Sequence, residues 1–419
     1  MSKKGRQPHF RSPKAVCDVG SKLGFDERCD DPLAPGEPQL KSSYSYAVPR
    51  RTADGTPVVL FLELGPRPAP AGEVDRRVGS LFDVGVSMRI AVFDTHAYDE
   101  RALREASATR AHKLEFFEER LHDKTVELAH GFDAVCPFVN CRLNSLVLKR
   151  LAEMGVRLVV LRAAGFNGID IAAAERVGII VARVPAYSPE AVAEHTFALL
   201  LTLVRKTHRA FNRVREQNFS LDNMEGFNLH GKTFGALGAG RIGQSAMRIA
   251  KGFGCKLLAY DAYENPRIAS DIGFEYANLE RVLQEADVIS LHLPLMESSH
   301  HIINAASIAR MRRGVTLINT SRGALIDAPA LIEALKSGQI GGVGLDVYEM
   351  EEGVFFHDLS DRPLQDDVLA RLMSFPNVLI TSHQGFLTRE ALHSIAVTTL
   401  DNASAFERGE AMPNQVKTG

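Results

Sequence analysis

From Met88 to the C-terminus, short apolar runs alternate with stretches of helical periodicity, and this alternation restricts the possible folds more than any other feature. The runs fall at 89–93, 134–138, 158–161 and 179–182, and again at 233–237, 256–260, 288–291, 315–319, 343–345 and 378–381. Near-continuous apolar runs are the mark of strands buried on both faces, and the helices between them supply the cover. Two sets of runs therefore predict an α/β protein with two doubly wound parallel-sheet domains. Between the sets, 189–219 reads as one long helix, with Ser188 at its N-cap and Pro189 in its first turn. That helix would link one domain to the other.

The chain has 419 residues, more than a single compact core usually organises. Residues 1–87 differ in texture and hold ten of the 19 prolines. Only 58–62 offers a short strand there, so the segment is expected to be a largely irregular extension. It lacks the basic–apolar–small order of a secretory signal, and Met88 offers an alternative start. A net charge of −2 points away from nucleic acid and membrane surfaces. The five cysteines form neither a disulfide framework nor a zinc pattern, which fits a reducing cytoplasm and leads to no expected metal.

The strand at 233–237 runs into Gly238-x-Gly240-x-x-Gly243 and then a helix. Gly238 permits a tight turn, Gly240 lets backbone approach a pyrophosphate, and Gly243 lets helix and strand pack closely. The helix N-terminus offers free N–H groups to that anion. The next strand ends in Asp261, 18 positions after Gly243. An acidic group there accepts ribose hydroxyls and repels a 2′-phosphate, so the expected cofactor is NAD.

Three further polar groups follow strand ends of the second set: Arg322 after 315–319, Glu351 after 343–345 and His383 after 378–381. Ligands bind at that edge of a doubly wound sheet. Reduction of a 2-keto acid needs a proton donor for the carbonyl oxygen, and histidine suits that task. A carboxylate beside an imidazole favours its protonated form. Arginine holds a carboxylate by forked hydrogen bonds. Each has a plainer reading: Arg322 as a surface partner, Glu351 as one of an acidic turn with Glu349 and Glu352, His383 as a helix cap.

The glycine loop with Asp261, the Asn319-Thr-Ser-Arg322-Gly-Ala-Leu-Ile-Asp327 stretch, Gly344-Leu-Asp346-Val-Tyr-Glu349 and the late His383 together resemble the D-2-hydroxyacid dehydrogenase family. The resemblance covers essentially all of 88–419. It implies a Rossmann cofactor domain at 188–385 and a flavodoxin-like substrate domain split between 88–187 and 386–419, with the site in the cleft. It implies that Arg322 binds substrate, Glu351 partners the histidine, and His383 is the acid/base. It extends the cofactor contacts from Gly238, Gly240, Gly243 and Asp261 to Arg241, Ile242, Leu293, Pro294, Ser299, Thr320, Ser321 and Asp346.

Other stretches resemble the D-lactate dehydrogenase branch of that family. Leu161-Arg-Ala-Ala-Gly-Phe-Asn167 matches its substrate loop, which would place the N–H groups of Ala164 and Gly165 on the substrate carboxylate. Tyr187 and Phe386 would lie near the substrate. The resemblance implies a 2-keto or 2-hydroxy acid substrate, NAD, and a homo-oligomer, most simply a dimer through the 189–219 helix. A dehydrogenase for a larger 2-keto acid and an NAD(H)-sensing corepressor on the same fold remain open alternatives.

Overall fold

The computed structural model describes residues 45–51, 57–63 and 87–418. The chain forms two compact units, Met1–Phe82 and Asp83–Gly419. In the first, strands β1 (Ser45–Arg51) and β2 (Pro57–Glu63) pair antiparallel, with Pro49 opposite Val59. The strand expected at 58–62 lies within β2, whereas β1 was not expected. Its proline argues against a strand, but both strands of a two-stranded ribbon are edges, where proline is tolerated. The irregular structure expected for the rest of 1–86 lies outside the described residues.

The second unit carries β3 (Arg89–Val92), β4 (Lys113–Phe116), β5 (Ala134–Cys136), β6 (Leu158–Val160) and β7 (Ile180–Ala182). There follow β8 (Thr233–Leu237), β9 (Lys256–Tyr260), β10 (Glu275–Tyr276), β11 (Val288–Leu291), β12 (Val315–Asn319), β13 (Ile340–Leu345) and β14 (Val378–Ile380). The last strand is β15 (Gln415–Val416). One sheet has the order β15-β7-β6-β5-β3-β4, parallel except for β15. The other has the order β10-β9-β8-β11-β12-β13-β14 and is parallel throughout. These are the flavodoxin-like and Rossmann orders expected of doubly wound sheets.

Both sheets are covered on both faces. Leu237, Leu317 and Val343 pack into one core of the larger sheet, and Phe234, Ala259 and Ile318 into the opposite one. Helix Pro189–Arg205 supplies Phe197, Leu200 and Leu203 to that second core. In the smaller sheet, Ala91 and Val135 face one core while Ile90, Val92 and Val160 face the other. Helix Arg389–Glu407 returns to this smaller sheet, burying Ala396, Leu400 and Ala403 beside Ile90.

The helix expected over 189–219 is broken. It runs Pro189–Arg205, turns at Lys206 with φ of 53°, and resumes as Thr207–Arg215. The buried stripe explains the break. It extends to Leu203 and Val204, whereas the second helix buries no residue. The Lys206 N–H closes the first helix on the carbonyls of Thr202 and Leu203. Gly226 presses against the same end: a Cβ there would lie 1.9 Å from the Val204 carbonyl oxygen.

That contact gives a stability test. Gly226→Ala is expected to destabilise the fold by about 1–3 kcal/mol through overpacking. Gly252→Ala, where an added Cβ meets nothing within 4 Å, is expected to be neutral or stabilising by up to ~1 kcal/mol. Urea unfolding of the two variants measures both values, and equal midpoints would remove the packing argument.

Candidate active site

In a doubly wound sheet, ligands sit where the chain leaves to opposite sides. In the larger sheet that point lies between β8 and β11, and the glycine loop follows β8 there. Its three glycines separate physically. Gly238 has φ of 105°, and a Cβ on it would lie 2.7 Å from the His292 carbonyl. A Cβ on Gly243 would lie 2.0 Å from the Gly238 oxygen. Packing within the protein thus demands both. A Cβ on Gly240 meets nothing within 4 Å, so the open space in front of it is available to a ligand.

Helix Arg241–Gly252 starts at Gly240 with no side chain capping it, which leaves its first N–H groups for an anion. Asp261 is fixed beside the loop: it accepts from Ala239 N at 2.7 Å and Tyr263 N at 2.9 Å. These features fit a dinucleotide. Gly240, Arg241, Ile242, Thr320, Ser321 and Asp346 line a cavity of about 250 Å³. His292 lines it too, although nothing pointed to it in the sequence beyond its place at the end of β11. Burial lowers the His292 imidazole to about 4, so it is neutral, and its Nδ1 has no partner among the described residues. Six expected cofactor residues do not line this cavity: Gly238 and Gly243 are taken up by packing within the loop, Asp261 lies beside the loop, and three more stand further along the chain. Leu293 and Pro294 start the following loop, and Ser299 is buried, with its hydroxyl donating to the Pro294 carbonyl at 2.7 Å.

Arg322, Glu351 and His383 share a second cavity of about 410 Å³ with Ala164, Gly165, Tyr187 and Phe386. The two cavities have Ala164, Tyr187, Arg322, His383 and Phe386 in common, so they form one cleft. His383 Nδ1 lies 2.9 Å from Glu351 Oε1, and Glu351 Oε2 accepts from Tyr348 N at 3.1 Å. Glu349 is the partner of His301 instead, at 3.0 Å. With Nδ1–H donated to a carboxylate, the His383 tautomer is set and Nε2 is the nitrogen left for chemistry.

Arg322 makes no ion pair among the described residues. Its Nη1 donates to the Ser321 carbonyl at 2.7 Å, and a Cβ on Gly165 would lie 3.2 Å from its Nη2. Asn319, fully buried, pins this turn by accepting from Ser321 N and donating to the Arg322 carbonyl. The N–H groups of Ala164 and Gly165 donate to no acceptor among the described residues, while Arg183 holds the Ala164 carbonyl at 2.9 Å. A guanidinium and two free N–H groups thus converge on one corner of the cleft. Burial pushes the Tyr187 phenol above its ordinary value, so it remains a donor.

Asp346 is buried and takes four hydrogen bonds: from the Thr381 hydroxyl at 2.5 Å, His195 Nε2 at 3.1 Å, Gln384 N at 2.9 Å and Gly385 N at 2.8 Å. His383 N also donates to the Asp346 carbonyl at 2.7 Å. The residue therefore anchors the loop that carries His383. Of the aromatic wall, Tyr187 and Phe386 were expected near the substrate, whereas Tyr98, Phe138 and Phe356, like His195, were given no role from the sequence. Phe386 approaches Tyr98, Phe138 and Tyr187 at 6.2, 6.3 and 6.5 Å between centroids, and Phe356 lies 5.9 Å from the His383 ring. Phe138 ends a predicted strand, and that position was its only signal.

The geometry is that of a dinucleotide-dependent oxidoreductase acting on a small anion. The family model for the D-isomer specific 2-hydroxyacid dehydrogenase NAD binding domain matches residues 197–385. The chain is 49% identical over 329 residues to the D-lactate dehydrogenase of Escherichia coli (strain K12), covering 78% of this chain and 100% of that one. The structure of the pyruvate reductase of Chlamydomonas reinhardtii superposes with a TM-score of 0.75 at 42% identity, covering 78% and 98% of the two chains. The D-lactate dehydrogenase of Lactobacillus jensenii with NAD+ superposes at 0.68 with 31% identity, covering 79% and 100%. The chain belongs to the D-2-hydroxyacid dehydrogenase family, and it is an NAD-dependent enzyme. No described helix is long and apolar enough to cross a membrane.

Asp346 supplies a test of the loop anchor. Burial alone would raise its carboxyl, but hydrogen bonds from His195, Thr381 and Gln384 N outweigh it and hold the value at about 2. A depressed folded value stabilises the protein above the unfolded carboxyl value of about 3.9. That stability is lost as pH falls from about 4 through about 2, and amounts to about 2 kcal/mol. Asp346→Asn is therefore expected to be less stable at neutral pH, with the gap to wild type closing over that window. Chemical unfolding at a series of pH values measures it, and a pH-independent gap would contradict the assignment.

Proposed function

We propose that the chain is an NAD-dependent D-lactate dehydrogenase that interconverts pyruvate and D-lactate. The observation that carries this reading is the meeting of Arg322, the Glu351–His383 pair and the free Ala164 and Gly165 N–H groups in one cleft beside the glycine loop. NADH, when bound, supplies the hydride for the carbonyl carbon. Gly240 and the N-terminus of helix Arg241–Gly252 would hold its pyrophosphate, and Asp261 would take the ribose hydroxyls. The N–H groups of Ala164 and Gly165 receive the substrate carboxylate, and Arg322 clamps the carboxylate and polarises the carbonyl. His383 Nε2 donates a proton to the carbonyl oxygen in reduction and takes it back in oxidation. Glu351 holds the ring in the required tautomer. Phe386, Tyr187 and Phe356 exclude water from the reacting carbon.

The proposal includes the domain limits read from the sequence, 88–187 with 386–419 for substrate and 188–385 for cofactor. It includes a cytoplasmic homodimer joined through the region of helix Thr207–Arg215, where Phe211 and Val214 stand exposed. One observation favours a second substrate reading. A cavity of about 410 Å³ falls in the range of drug-sized ligand sites, ~300–1,000 Å³, and has room for a larger 2-keto acid than pyruvate. Comparing kcat/KM for pyruvate and phenylpyruvate decides between them, and absence of turnover with either would overturn both substrate readings.

His383→Ala is expected to depress both directions of the reaction by ~100–10,000-fold, the worth of general acid–base help. Glu351→Gln should lower kcat while leaving KM for pyruvate near its normal value, because the carboxylate touches the histidine and not the substrate. Steady-state kinetics tests both, and near-normal turnover in His383→Ala would end the mechanism. Separately, the natural chain should prefer NADH strongly over NADPH, and Asp261→Ser should erode that preference. Equal use of the two cofactors by the natural chain would refute the role given to Asp261.

A further inference from the structure

Outside the catalytic groups, one cluster of metal-ligating side chains among the described residues stands at the rim of the cleft. His300, His301 and Glu349 bring one ligand atom each to within 4.8 Å of one another. His301 Nε2 lies 3.0 Å from Glu349 Oε1, and His300 Nε2 lies 3.7 Å from the same oxygen. The two imidazole rings stack with centroids 3.9 Å apart. Adjacent residues rarely present their side chains to one point. Here the backbone of His301, with φ of 48° in the left-handed region, is turned so that both rings face the carboxylate.

A hydrogen bond accounts for His301 alone, because 3.7 Å is too long for one from His300. The spacing suits a shared cation better. Around a tetrahedral zinc ion with bonds of ~2.0–2.1 Å, donor atoms lie about 3.3 Å apart, and the two measured separations straddle that value. Two imidazoles and one carboxylate form a borderline donor set, suited to zinc rather than to magnesium or calcium. Three protein ligands leave a fourth position for water. The His300 side chain is half-exposed and those of His301 and Glu349 are about a third exposed, so an ion can enter without opening the fold.

We propose that His300, His301 and Glu349 form a binding site for Zn2+ at the rim of the substrate cleft. The site spans two loops. The His301 N–H donates to the Ala324 carbonyl, two residues past Arg322, and Glu349 is two residues before Glu351. Glu349 also lines the substrate cavity. Zinc at this position ties the arginine-bearing turn to the turn that carries the partner of His383. The cluster has no motif spacing in sequence, since the carboxylate is 48 positions from its nearer histidine.

The test reads metal content and not turnover, so it is independent of the substrate assignment. The full chain is stripped with chelator and equilibrated with buffered Zn2+, and bound metal is measured by atomic emission alongside thermal unfolding. The wild type is expected to bind one more equivalent than the His300→Ala/His301→Ala variant, and zinc should raise Tm only in the wild type. Glu349→Gln should bind roughly tenfold more weakly or worse, and it serves as the second variant if the double substitution does not fold. Equal zinc uptake by the wild type and the variants overturns the proposal.

Discussion

The arrangement of the cleft depends on one buried carboxylate. Asp346 follows β13, and its two oxygens gather a hydroxyl and two backbone N–H groups from the segment after β14, with an imidazole from helix Pro189–Arg205. A buried charge is costly unless each lone pair is used, and here each oxygen is used. The result is a rigid joint between a strand end, the loop carrying His383, and the helix that leads out of the smaller sheet. Gly385 is part of this joint. A Cβ on it would lie 3.0 Å from Asp346 Oδ2, so the loop descends onto the carboxylate only because that side chain is missing.

Charge is handled differently on the two sides of the cleft. Arg162, fully buried, spends its guanidinium on the carbonyls of Phe93, Asp94 and Cys136 and lies 3.5 Å from Asp99. It fastens the strand ends of the smaller sheet together. Arg142 is paired with Glu352 and Arg120 approaches Asp94. Arg322 has no such carboxylate among the described residues. A half-buried cation without an internal counter-ion is a site for an anionic ligand, and two undonated N–H groups beside it give that ligand a defined orientation. This contrast between satisfied and unsatisfied arginines separates scaffold from site.

The strand pattern was legible because parallel strands buried on both faces leave an unbroken apolar run. Nine of the ten expected runs differ from the observed strands by no more than two residues at either end, and the tenth, β13, starts three residues earlier at Ile340. Strands β4, β10 and β15 were not visible. Two are only two residues long, and β4 (Lys-Leu-Glu-Phe) alternates charge with apolar residues at the sheet edge. The glycine loop, Asp261, Arg322, Glu351 and His383 were legible because each follows a strand end. His195, His292 and Phe356 were not. His195 lies in a helix, and its partner Asp346 is 151 positions away. His292 is defined by having lost its solvent, and Phe356 by neighbours from the other sheet. Helix termination at Lys206 escaped for a similar reason: it is set by the packing of Gly226 and not by a local stop signal.

Backbone strain shows where side-chain aim has outweighed local preference. Seven residues other than glycine have positive φ among the described residues, and four of them, Asp94, His301, Phe356 and His383, lie at or beside the cleft. Such conformations cost on the order of 1–3 kcal/mol each and persist only where the surroundings over-determine them. His383 is held by its own N–H on the Asp346 carbonyl, by the neighbouring N–H groups on the Asp346 carboxylate, and by Nδ1 on Glu351. Glycine would relieve the backbone at that position but would remove the imidazole. The scaffold therefore absorbs a local cost to present one nitrogen to the cleft, and the buried hydrogen bonds around Asp346 offset it. That is the usual relation between a strained functional residue and the stable network beneath it.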